Sequence, residues 1–188
     1  MSDAWYLDAG DYYVPRRDAD EHPLRQGDLL PGPTVAGERW FAAQLLHPTC
    51  ELSKNAVREL QVARVRPLSE LADDFQRSLV VAGYREVDGK RRVAVAHTFF
   101  LSPWDDADEP CFSSFRELAT VRRSAAKADR RLAAITHDCR VTLIRRYQYF
   151  RFRLAFGFDD VCRWETARIA NDPAFEGPRP EWAPLAST

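Results

Sequence analysis

The feature that most restricts the fold is a change of character at Pro110. Before it, short apolar stretches are repeatedly cut by Pro and Gly; after it, Phe115 to Ala133 contains neither. Punctuated runs of that kind favour strands, whereas Ala, Arg and Leu without breakers favour helix. Strands first and helices later imply an α+β domain with an antiparallel, strongly curled sheet. At 188 residues the chain fits one domain and is long enough to bury a core without metal or disulfide support.

Within the first part, Arg39 to Leu46 reads as a buried strand stopped by Pro48, and Leu60 to Val65 as a second strand ending at Pro67. Ser69 ahead of Glu70 and Leu71 suggests a short helix or turn over Leu68 to Phe75. Leu79 to Ala82 reads as a strand. Asp88-Gly89 between β-prone flanks predicts a two-residue hairpin, because both central positions of that turn need positive φ. His97 to Leu101 continues its second strand, and Asp105 to Pro110 forms an acidic loop.

After Pro110 two helices are expected. The second presents Leu143, Tyr147, Phe150 and Leu154 on one face and stops at Gly157. The expected layout is a single domain over 1–188: an aromatic arm at 1–23 that packs back, a β-rich barrel at 24–110, a helical part at 111–158, and a loose Pro-rich tail at 171–188. No apolar run approaches the ~18–20 residues of a membrane span. The first residues lack the basic stretch and apolar core of a signal peptide, so a cytoplasmic protein with reduced thiols is expected.

Net charge is −1, but residues 116–163 hold 12 basic and 5 acidic residues, a net +7, leaving −8 elsewhere. A polarised chain of this kind can attract nucleic acid or an acidic protein partner. Only Lys54, Lys90 and Lys127 are lysines among 27 cations. The Arg bias suits forked phosphate contacts and equally a GC-rich genome.

Several segments in order resemble the PemK/MazF-like toxins, small SH3-like barrels related to the CcdB group. Arg25-Gln26-Gly27-Asp28 matches the entry to their first strand; Gly37-Glu38-Arg39-Trp40 precedes the apolar run Phe41 to Leu46; Val65-Arg66-Pro67-Leu68-Ser69 ends the next strand. Leu118-Ala119-Thr120-Val121 and Arg130-Arg131-Leu132 fall in the late position. Trp40 stands where that family has proline, and Ser69 where it has threonine. The resemblance covers roughly residues 24–145. It implies a curled antiparallel barrel followed by C-terminal helices, a homodimer, and a metal-independent endoribonuclease of a toxin–antitoxin pair. A second likeness, Thr49-Cys50-Glu51-Leu52, is shared with bacterial proteins of no stated activity.

In that reading Arg39 neutralises charge on the scissile phosphate, and Ser69 donates a hydrogen bond beside it. Otherwise Arg39 merely opens a surface strand and Ser69 caps a helix from Glu70. Arg140, Arg145, Arg146, Arg151 and Arg153, interleaved with Tyr147 and Tyr149, combine guanidinium with stacking rings and suit single-stranded RNA. The same residues could be an amphipathic helix with its arginines solvated or ion-paired. His47 and Cys50, with His137 and Cys139, offer four nitrogen and sulfur ligands for zinc, although their spacing is poor for paired knuckles. Cys50 with His47 or His97 could also form a nucleophile and base. The sequence thus carries three alternatives: a nucleic-acid-associated protein that cleaves RNA, a non-catalytic interaction module of a larger bacterial system, and a zinc or thiol protein.

Overall fold

The computed structural model describes residues 12–54, 56–88 and 90–152. Over these residues it is an α+β structure in which a five-stranded antiparallel sheet is accompanied by three two-stranded ribbons and four α-helices. The sheet strands are β2 (Leu29–Pro31), β5 (Ala42–Leu45), β6 (Glu59–Pro67), β9 (Thr98–Leu101) and β10 (Cys111–Arg122), in the spatial order β2-β5-β6-β10-β9. The sheet is open among the described residues, with β2 and β9 as its edges. Small ribbons pair β1 (Tyr13–Val14) with β11 (Ala134–Ile135), β3 (Thr34–Val35) with β4 (Glu38–Arg39), and β7 (Tyr84–Val87) with β8 (Lys90–Val93). The helices are α1 (Arg16–Asp20), α2 (Thr49–Leu52), α3 (Asp74–Ala82) and α4 (His137–Phe152).

Side chains alternate across the sheet and feed two cores. Leu29, Ala42, Ala63 and Val65 join Phe99, Phe100, Phe115, Ile135 and Leu143 in the larger core beneath α3 and α4. Leu30, Ala43, Leu45, Leu60 and Val62 pack with Trp40 and Leu52 in the smaller one. The N-terminal arm packs back as far as it is described: Tyr12 and Tyr13 are buried, and the Tyr13 hydroxyl donates to the Ser102 carbonyl at 2.6 Å.

The segment from Phe115 differs from the helix that its composition predicts. It is strand through Arg122, followed by two 3-10 turns at Arg123–Ala125 and Ala128–Arg130. Helix propensity is worth only tenths of a kcal/mol per residue, whereas nine register pairs with β6 satisfy the strand's backbone. The register jumps between Ser114 and Leu118, so Phe115 to Glu117 bulge out of the ladder. The bulge turns Phe115 into the larger core, edge-on to Tyr147 at 5.2 Å.

Leu79 to Ala82 is likewise helix, the last turn of α3, not strand. Its caps decide the matter: Asp73 Oδ1 accepts from the Phe75 amide at 2.8 Å, and Gly83 closes the helix at φ +71°. Ser69 therefore caps no α-helix and lies within the 3-10 turn Leu68–Glu70. The Asp88 hairpin forms in the expected register, Val87 opposite Lys90, with Asp88 at φ +54°. His97 to Leu101 does not extend it, because Val95 at φ +39° breaks the chain and β9 joins the main sheet. Leu154, Gly157 and the 171–188 tail lie outside the described residues.

Candidate nucleic-acid interface

Asp28, at the end of the Arg25–Asp28 entry, is a structural residue. Its carboxylate is fully buried, and Oδ2 accepts from Arg131 Nη1 at 2.8 Å and from the Arg25 amide at 2.9 Å. Burial is the main force on its pKa and raises it, against the lowering effect of these partners. Gly27 before it sits at φ +95°, where a Cβ would fall 2.3 Å from the Ile135 side chain. Gln26 ties three segments together: its amide donates to Thr49 Oγ1, its Nε2 to the Leu46 carbonyl, and its own carbonyl accepts from Arg140 Nε.

That last bond bears on the expected RNA-binding helix. Arg140 gives Nε to Gln26 and Nη2 to Ile135, both backbone carbonyls. Arg146 is fully buried, donating to the carbonyls of Thr98 at 2.5 Å and Ala94 at 3.0 Å. The Tyr147 hydroxyl donates to Gln61 Oε1 at 2.7 Å while its ring packs on Phe115. Tyr149 packs against the Ala82–Tyr84 cluster, and Arg145 is half-buried. Arg151 is exposed; Arg153 lies outside the described residues. Helix α4 thus spends Arg140, Arg146, Tyr147 and Tyr149 on packing, so it does not present them as the phosphate-and-base surface that their spacing suggests. An arginine facing carbonyls looks identical in sequence to one facing solvent.

The proposed zinc set is also divided. Cys50 is exposed on α2 and His137 is exposed at the start of α4, whereas Cys139 is fully buried. Among the described residues no three His, Cys, Asp or Glu side chains are grouped to hold a metal ion. His47 is half-buried, and its Nε2 has no hydrogen-bond partner among the described residues. His97, the spare base, stacks near Phe150 at 6.4 Å; burial, with Arg116 and Arg146 nearby, pushes its pKa down.

Arg39 is exposed on β4, and it lines a groove of about 160 Å³ together with Arg130. The floor is apolar, made by Leu30, Ala43, Val62 and Val121 from three adjoining strands and from β10. Among the described residues no histidine, carboxylate or hydroxyl lines it, and Ser69 is not part of it. No hydrogen bond or ion pair links Arg39 to Ser69 among the described residues. The geometry follows from the β6–β10 pairing. Glu59 opposite Arg122 ends the ladder, and the Arg123 amide donates to the Arg58 carbonyl at 2.8 Å, which folds the 3-10 turns over the sheet end.

A wider hollow beside it, about 610 Å³, is lined by Arg58, Glu59, Arg122 and Arg123. Arg39, Arg58, Arg122 and Arg130 are exposed and make no ion pair among the described residues. Arginines closer to the sheet centre behave otherwise: Arg64 pairs with Glu38 and Glu117, and Arg66 with Glu70 and Glu117. Sequence reasoning singled out Arg39 but missed Arg58, Arg122 and Arg130. The missed signal was Arg122-Arg123 and Arg130-Arg131 at either end of a short Ala-rich stretch, masked by reading that stretch as helix. Comparison of the sequence with known protein families and with characterised proteins returns no match.

Proposed function

We propose that this protein binds the phosphate backbone of single-stranded RNA, without cleaving it, at the end of the sheet where Arg39 and Arg130 share a groove. The observation that carries the reading is that pair of exposed guanidiniums, without an ion-pair partner among the described residues, over an apolar floor and flanked by Arg58, Arg122 and Arg123. Lys127 is exposed on the short stretch between the lining residues Ala126 and Arg130, with exposed Asp129 next to Arg130 and Glu59 on the wall of the hollow. Arg neutralises phosphate as a planar fork, and the apolar floor accepts a sugar or base face that water leaves.

Cleavage by 2′-hydroxyl attack needs a group to take a proton as well as a cation. The groove supplies the cation alone, so the toxin-like endoribonuclease reading lacks its second member there. A non-catalytic module, docking RNA within a larger bacterial system, uses every feature of the groove.

The test is fluorescence anisotropy with a labelled single-stranded RNA across a series of KCl concentrations. Binding should weaken with salt, and the Arg39→Ala/Arg130→Ala double variant should flatten the log–log slope by about 1.4, at ~0.7 per lost phosphate contact. An unchanged slope, or RNA cleavage that persists in chelator and disappears in Arg39→Ala, would overturn the binding-only reading.

A further inference from the structure

Strand β10 is paired unequally on its two sides. β6 runs along one side from Cys111 to Arg122, interrupted only by the bulge. β9 covers the other side only from Cys111 to Ser114, and the Phe115 amide, donating to the His97 carbonyl at 2.7 Å, makes the last bond there. Upstream of His97 the chain turns out of the sheet at Val95, with φ +39°. From Leu118 to Arg122 no backbone hydrogen bond leaves this side among the described residues.

In an antiparallel pair, alternate residues point both N–H and C=O away from the partner. The Leu118–Arg122 stretch, about 17 Å long at ~3.4 Å per residue, is therefore an open ladder. Such an edge is a template for one more strand. Both of its faces offer packing: Leu118 lies on the larger core, and Ala119 and Val121 lie on the smaller one.

Charge selects the strand. Arg116 and Arg122, at the two ends of the open stretch, are exposed and have no ion pair among the described residues. Glu117 is held by Arg64 and Arg66, and Leu118 to Val121 carry no charge. Two copies of this edge joined antiparallel would set Arg116 of one near Arg122 of the other, which like charge opposes. We propose that the Leu118–Arg122 edge takes up an extended acidic segment of a partner protein as an added antiparallel strand in line with β9, its terminal carboxylates meeting Arg116 and Arg122. Arg116 lies outside both the basic groove and the hollow, so peptide binding and RNA binding are separable.

The probe is the labelled peptide acetyl-Glu-Val-Thr-Val-Thr-Val-Glu-amide, followed on the full chain by fluorescence anisotropy and by amide hydrogen exchange. It should bind saturably and slow the exchange of alternate amides between Leu118 and Arg122. The same peptide N-methylated throughout, or with lysine at both ends, should bind at least about tenfold more weakly. Arg116→Glu should weaken the glutamate-ended peptide about three- to tenfold and strengthen the lysine-ended one by a similar factor. Equal binding of the N-methylated or lysine-ended peptide would overturn the proposal. So would slow exchange of these amides in the free chain, whether a second copy or other residues of the chain cover them. Arg116→Glu that lowers RNA affinity and leaves both peptides unchanged would assign the edge to RNA and overturn it as well. Should Arg116→Glu not fold, the ranking of the three peptides on the native chain decides it.

Discussion

Two sets of arginines divide this molecule. Arg131, Arg140 and Arg146 point inward and donate to backbone carbonyls or to Asp28. Arg39, Arg58, Arg122 and Arg130 stand at the sheet end with no acid paired to them among the described residues. Arg130 and Arg131 are neighbours in sequence yet fall into opposite sets, because the backbone passes from a 3-10 turn into extended conformation between them. The lesson is that a guanidinium's role follows from what faces it. A buried arginine staples loops whose carbonyls would otherwise lack donors; an exposed one is available to phosphate.

The comparison breaks first on stability. Arg131→Ala leaves the Asp28 carboxylate buried without its cation and should cost about 3–5 kcal/mol, read by urea denaturation. Arg130→Ala next to it should stay within about 0.5 kcal/mol of the native chain. Equal losses at the two positions would erase the distinction between the sets.

The second effect concerns RNA. Loss of Arg39 and Arg130 should weaken anisotropy-detected binding about tenfold or more at low salt, with no shift in melting temperature. Replacing Arg140 should instead reduce stability, since two carbonyls lose their donor.

A smaller effect sharpens the packing around Arg146. Gly83→Ala forces a φ of +71° on a residue with a side chain and sets its Cβ 2.7 Å from Arg146 Nη1. About 1–2 kcal/mol should be lost, checked by thermal melts of the single variant and of Gly83→Ala with Arg146→Lys. Partial recovery in the double variant would locate the strain at the guanidinium.

The smallest is a pH dependence. The folded pKa of His97 lies below its ordinary 6.5, with burial as the leading cause and Arg116 and Arg146 assisting. Its contribution is therefore complete above pH 6.5 and is lost as pH falls through the lowered folded value. His97→Gln should flatten the decline of melting temperature between pH 7 and pH 5. An identical decline in the variant would assign that slope to other groups.

Much of the scaffold was legible in the residues. Asp88-Gly89 marked a hairpin because few sequences tolerate positive φ in succession, and Pro67 marked the end of β6. Two of the misread elements show different reasons. Local propensity in Phe115 to Arg122 pointed to helix, and a partner distant in sequence, β6, prevailed; in Leu79 to Ala82 the apolar run suggested strand, and the neighbouring caps Asp73 and Gly83 prevailed. Arg39 was singled out through the toxin resemblance, as a catalytic cation beside Ser69. Its companions were not, since Arg58, Arg122 and Arg130 converge through strand register, which sequence spacing does not display.

The central claim is that RNA affinity resides at the sheet end and not on α4. The most direct measurement compares the salt slope of RNA binding for Arg39→Ala/Arg130→Ala with that for Arg151→Ala, whose arginine is exposed on α4. The account predicts a slope reduced by about 1.4 in the first and unchanged in the second. A full slope in the double variant alongside a reduced slope in Arg151→Ala would contradict it.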